Sequence, residues 1–98
     1  MTPQTERAQR GGVNLQVLRK QIDRLDVRIL GLLNQRARLA IRVGRLKKRQ
    51  GRQLFDPKRE QAVLRQVTQA DHGPLSAQAV RAIYREILRQ IRRLEQSV

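Results

Sequence analysis

Two cations and an acid occupy positions where helical spacing otherwise supplies apolar side chains. Steps of three and four run from Leu18 through Ile22, Leu25, Ile29 and Leu32, then through Ala40 and Val43, and the same face takes in Arg36 and Lys47. Glu95 follows Ile91, Leu88 and Tyr84 by 4, 7 and 11 residues, so it shares their apolar side of a later helix. A charge turned toward a packed interior is costly unless it is paired or meets a ligand. The stretch FDPKRE, residues 55–60, adds Asp56, Arg59 and Glu60 near a helix start. Cationic donors accompanied by a few acids suit a small dianion that also bears a hydroxyl, because guanidinium and ammonium groups hold carboxylates while a carboxylate accepts from the hydroxyl. Plainer roles are also open to these residues. Long cationic side chains can reach outward from a seam, Asp56 can cap a helix, and Glu95 can stay solvated.

Other chemistries find little support. Cysteine is absent, which excludes disulfides and thiolate metal sites, and the sole histidine, His72, stands in a loop with no metal-ligand motif around it. Ser76 reads as a helix cap and Ser97 is close to the last residue, neither with a histidine base placed by sequence. Gly11 and Gly12 follow no strand and so form no phosphate loop. The expectation is a site that uses neither metal nor cofactor.

Three helices must position these groups. The first is expected from Leu15, capped by Asn14, as far as Gly51, which is placed to stop it. For the second, Asp56 is the cap and Pro57 the first helical residue, where a missing N–H is harmless; DHGPLS, residues 71–76, ends it. Ser76 then caps a third helix whose apolar face runs through Val80, Ile83, Tyr84, Ile87, Leu88, Ile91 and Leu94. No strand pattern and no internal repeat is present. The fold class is all-α, with residues 15–98 as one helical domain behind a disordered tail of residues 1–14.

A first helix of some 35 residues would reach about 50 Å. A globule of about 100 residues has a radius of gyration near 13 Å, so the apolar stripe of so long a helix calls for a second chain, most simply in a twofold homodimer. The opposite face carries Arg24, Arg28, Gln35, Arg38, Arg42, Arg45 and Arg49 and reads as a solvated stripe. With 22 Lys and Arg against 8 Asp and Glu, the formal charge of +14 attracts anions without selecting one. No stretch approaches the roughly 20 apolar residues that span a bilayer, and the polar first residues resemble no signal peptide, so a cytoplasmic location and no membrane partner are expected.

LRKQIDRLDVRILGLLNQRARLAIRVGRLKK, residues 18–48, resembles the long first helix of the all-helical chorismate mutase family, and FDPKREQAVL, residues 55–64, resembles the start of that family's second helix. The shared pattern is an arginine near the helix start (Arg19), another 17 residues on (Arg36), a lysine 11 further (Lys47), then D-x-x-R-E at Asp56, Arg59 and Glu60. It extends over roughly residues 15–96. The resemblance implies an intertwined helical homodimer with two active sites, each built mainly within one chain and completed by an arginine of the other. By the same resemblance Arg36 and the partner's Arg19 clamp the carboxylates of chorismate, and Lys47 donates to the ether oxygen and a carboxylate. Glu60, helped by the backbone around Asp56, holds the ring hydroxyl, and Arg59 lines the pocket. The implied reaction is the Claisen rearrangement of chorismate to prephenate, toward phenylalanine and tyrosine, without cofactor or covalent intermediate. A partner enzyme of the same pathway is a further implication.

Two positions depart from the family pattern. Many relatives carry a serine on the third helix and a glutamine four residues later that donates to the ether oxygen; matching IYREIL, residues 83–88, puts Ile91 and Glu95 there. A one-residue shift would substitute Arg92 and Gln96, which periodicity assigns to the exposed basic face. To donate, Glu95 must be protonated, and burial raises a carboxyl pKa in that direction. The nearest alternative activity is isochorismate pyruvate lyase of the same fold, against which the complete D-x-x-R-E group argues. A basic helical dimer binding nucleic acid through phosphates is the alternative from another class. It lacks aromatic stacking residues, and nucleic acid is not the expected partner.

Overall fold

A computed structural model describes residues 3–98, with side chains from Asn14 onward. It contains three helices, α1 (Pro3–Arg49), α2 (Pro57–Ala70) and α3 (Ala77–Ser97), and no strand among the described residues. None of these helices is long and apolar enough to cross a membrane. The bounds of α2 and α3 follow from local chemistry. Asp56 Oδ1 accepts from the Arg59 amide at 3.0 Å with Pro57 in the first turn, and Ser76 Oγ accepts from the Ala79 amide at 3.0 Å.

The start of α1 differs from the sequence expectation. The helix runs back past Asn14 to Pro3, which leaves Asn14 inside it as an exposed residue instead of a cap. Proline is tolerated in a first turn, and between Gln4 and Val13 only Gly11 and Gly12 weaken helicity, each by about 1 kcal/mol, which lowers propensity without breaking the backbone ladder. Residues 1 and 2 of the expected tail lie outside the described residues.

Two compact units divide the chain, one ending at Asn34 and the other spanning Gln35–Val98. In the first, the side chains from Asn14 to Leu32 are exposed, including the apolar seam of Leu18, Ile22, Leu25, Ile29 and Leu32. The second holds the end of α1 with α2 and α3. Its buried apolar residues are Val63, Leu64, Val80, Leu88 and Ile91, and Val67 and Tyr84 pack against the cluster of Val63, Leu64 and Leu88. Tyr84 and Val67 close this cluster near the connection, while Glu60 meets Arg92 at its far end, so α2 and α3 run antiparallel.

How α1 stops matters for everything after it. Gly51 takes a positive φ of 67°, the Gly51 amide donates to the Lys48 carbonyl at 3.1 Å, and the Arg52 amide reaches back to the Lys47 carbonyl at 2.8 Å. These bonds satisfy carbonyls that a helix end otherwise leaves free, and they reverse the chain directly after Lys47. A Cβ at that left-handed position costs about 1–2 kcal/mol. Gly51→Ala is therefore expected to lose roughly 1–2 kcal/mol in urea unfolding at fixed protein concentration, with an unchanged m-value.

Candidate active site

All three helices contribute to one cavity of about 290 Å³ inside the second unit. From α1 come Arg36, Leu39, Ala40, Val43 and Lys47; the connection supplies Leu54 and Asp56; α2 supplies Arg59, Glu60 and Val63; α3 supplies Leu88, Ile91 and Glu95. Seven of these thirteen residues are aliphatic and six are charged, so apolar walls surround polar groups that converge on one space, as in a small-ligand site. Seven of the eight residues singled out from the sequence thus converge: Arg36, Lys47, Asp56, Arg59, Glu60, Ile91 and Glu95. The eighth, Arg19, belongs to the first unit and is exposed.

Lys47 is held inward. Its side chain is only 14% exposed, which decides against the reading in which it reaches out to water. Its Nζ donates to the Leu54 carbonyl at 3.3 Å and stands 3.9 Å from Asp56 Oδ2. Asp56 thereby serves twice, capping α2 with Oδ1 while Oδ2 faces the ammonium. An ammonium has three donors, so one aimed by two acceptors can still offer a hydrogen to a ligand. Arg36 is half-buried, and Arg59 lines the cavity while remaining exposed.

Glu95 lies against α1 because Gly44 leaves room for it. A Cβ built on Gly44 would stand 3.5 Å from Glu95 Oε2 and 3.7 Å from its Cβ and Cγ. Burial is the main influence on the Glu95 carboxyl and holds it above the usual carboxylate range. Lys47 and Arg36 oppose that shift, Glu60 adds to it, and Arg92 opposes it more weakly. Buried Ile91 places an aliphatic side chain one turn before it.

One residue near the site is not where periodicity places it. Arg92 reads as part of the exposed basic face, yet its side chain is 27% exposed, with Nη1 donating to Glu60 Oε2 at 2.8 Å and its guanidinium 4.4 Å from the centroid of the Phe55 ring. The signal was its spacing: Arg92 follows buried Leu88 by one turn. The remaining basic stripe, Arg24, Arg28, Arg38, Arg42, Arg45 and Arg49, is exposed as read, and Arg89 pairs with Glu86 on the surface at 2.7 Å. That pairing, with a further bond from Gln90, lowers the Glu86 carboxyl. Among the described residues no group of three or more His, Cys, Asp and Glu is placed to hold a metal ion.

Fold and cavity together define a small helical domain with a preformed pocket lined by aliphatic and charged side chains. The chain belongs to the chorismate mutase type II family, whose model matches residues 18–96. It is 36% identical over 88 residues to a bifunctional chorismate mutase/prephenate dehydratase of Aquifex aeolicus, and 38% identical over 87 residues to one of Stutzerimonas stutzeri. These matches cover 86% and 84% of this chain and 24% of each relative, so the chain spans about a quarter of their length. Among solved structures, a chorismate mutase from Thermus thermophilus superposes with a TM-score of 0.83 at 37% identity, covering 85% of this chain and 94% of that one.

The clearance at Gly44 yields a prediction. The 3.5–3.7 Å separations are ordinary contacts, so Gly44→Ala is expected to fold with stability within about 1 kcal/mol of the parent or above it, since alanine favours the helix. Gly44→Leu must displace the Glu95 side chain and is expected to lose about 1–3 kcal/mol, read by chemical unfolding of both variants.

Proposed function

We propose that this chain catalyses the rearrangement of chorismate to prephenate. The observation that carries the reading is the meeting of Arg36, Lys47, Glu60 and Glu95 in one aliphatic-walled cavity. Arg36 binds one carboxylate through its planar fork. Lys47 donates to a carboxylate and to the ether oxygen of the breaking bond, and Glu95, as a neutral acid, donates to that oxygen from the other side. Glu60 accepts from the ring hydroxyl, with the backbone around Asp56 beside it; Arg59 and Ile91 shape the remaining wall.

This reaction takes no proton from the substrate and needs no nucleophile. The rate gain comes from holding the substrate folded, with its reacting carbons close, and from donors already aimed where negative charge grows on the ether oxygen. Lys47 suits that task because the Leu54 carbonyl and Asp56 aim its ammonium before any ligand arrives. A homodimer is part of the proposal: a second copy covers the exposed seam of Leu18, Ile22, Leu25 and Ile29, and the partner's Arg19 meets the second carboxylate. The relatives that join a mutase to a prephenate dehydratase support an enzyme of that kind as a pathway partner.

The direct test is to incubate the purified protein with chorismate and follow its loss against prephenate formation. Stoichiometric prephenate is expected. No loss of chorismate contradicts the reading, and pyruvate release from isochorismate would move the chain to the lyase.

Two variants test the assigned roles. Lys47→Ala is expected to lower kcat at least about 100-fold, the scale of deleting one preorganised donor; near-normal turnover removes Lys47 from the mechanism. For Glu95 the sign follows from its raised pKa: the acid form donates, so kcat holds below that pKa and declines as pH rises through it. Glu95→Gln donates at every pH and should abolish that decline. A wild-type profile without the limb, or one the variant leaves in place, contradicts the assignment.

A further inference from the structure

Arg92 is absent from the cavity lining, yet it governs a carboxylate that lines it. The ion pair between Arg92 Nη1 and Glu60 Oε2, at 2.8 Å, spans from α3 to α2, and both side chains are about a quarter exposed, at 27% and 24%. A fully solvated pair would fix little. Here the guanidinium is held on two sides, by the face of the Phe55 ring 4.4 Å below it and by the carboxylate at its edge. The consequence falls on Glu60. One of its oxygens is engaged from outside the cavity, and no other donor among the described residues bonds Oε1, which leaves that atom as the acceptor the carboxylate offers inward. Without this anchor the glutamate regains rotamer freedom and can turn toward the cations that share its cavity, Lys47 and Arg36, which the substrate's own carboxylates require.

We propose that Arg92, seated on Phe55, is the positioning residue for Glu60: it fixes the carboxylate so that Oε1 accepts from the ring hydroxyl, and thereby makes the cavity selective for a dicarboxylate that bears that hydroxyl. The proposal rests on the mutase reading and deepens it. Arg92 touches no reacting atom; it acts through Glu60 alone, and Phe55 acts through Arg92. Selectivity of the cavity is then set in part by a side chain lying outside it.

The test compares chorismate with an analogue in which hydrogen replaces the ring hydroxyl, on the full chain and on Arg92→Ala, Arg92→Lys and Phe55→Leu. Because the hydroxyl contact is made in the ground state and the transition state alike, Arg92→Ala should raise KM for chorismate and lower kcat/KM about tenfold, with little change in kcat. The analogue's kcat/KM should change by less than about twofold, since it has no hydroxyl for Glu60 to hold. Arg92→Lys keeps the charge without the planar fork and should recover part of the loss. Phe55→Leu keeps the ion pair but removes its platform and should lose part of the selectivity. Phe55 is 47% exposed, so this variant reports even if Arg92→Ala fails to fold. In a Glu60→Gln background, Arg92→Ala should have no further effect on discrimination.

Equal losses on both substrates, losses that add to those of Glu60→Gln, or a gain in activity on removing Arg92 would each overturn the positioning role. Wild-type turnover of chorismate with unchanged selectivity in all three variants overturns it too and leaves the mutase reading standing. No turnover by the wild type sinks that reading and the positioning role with it.

Discussion

The second unit depends on the chain reversing immediately after Lys47. Gly51 in its left-handed conformation lets the amides of Gly51 and Arg52 fold back onto the last carbonyls of α1, and the chain returns at once past the lysine side chain. Leu54 and Asp56 therefore reach the Lys47 ammonium, and Asp56, while facing it, also opens α2. One turn into α2 stands Glu60, and antiparallel α3 brings Arg92 to it from the opposite side. α3 packs against α2 through Tyr84 and Leu88 and carries Glu95, two turns beyond Leu88, to the gap that Gly44 leaves in α1. A local hydrogen-bonding device at one helix end thus helps to set where Lys47, Asp56, Glu60, Arg92 and Glu95 come together.

Those charges are arranged so that few of them cancel inside the cavity. Asp56 is spent on a cap and on Lys47, Glu60 is anchored by Arg92, and burial holds the Glu95 carboxyl toward its neutral form against the pull of Lys47 and Arg36. The cavity consequently presents cationic donors beside carboxylates that are held in place by other partners. In a site walled by aliphatic side chains such donors act with less screening than in water, and they need not reorganise when charge appears on a ligand. For the proposed rearrangement this would be catalysis by complementarity, with donors in place before negative charge grows on the ether oxygen.

Much of this was legible in the sequence because it is local. Asp56, Pro57 and Ser76 mark helix starts by side-chain chemistry that acts within three residues, and α2 and α3 begin where those residues put them. Arg36, Lys47 and Glu95 were visible because a period of three and four keeps a face for many turns, and a charge on an apolar face stands out. Two features escaped for physical reasons. The start of α1 has no stop signal between Pro3 and Asn14 strong enough to end a helix, so a plausible cap at Asn14 was overrun. Arg92 sits on the flank of its helix, where the sequence gives a direction but not a reach; its long side chain crosses to Glu60 and Phe55 on another segment, and only the packing of α3 on α2 reveals that. The same packing explains why Arg92 differs from Arg85 and Arg89, which remain exposed.

A cavity that performs the proposed rearrangement prefers the geometry of its transition state to that of its substrate. The measurement that tests this most directly is the equilibrium affinity of a stable bicyclic ether dicarboxylate shaped like that transition state, set beside the affinity for chorismate. Binding at least about 100-fold tighter than the substrate is the predicted result, because groups complementary to a transition state bind its stable mimics that much better. A mimic bound no more tightly than chorismate would contradict the claim that the cations of this cavity are aimed at the breaking ether bond.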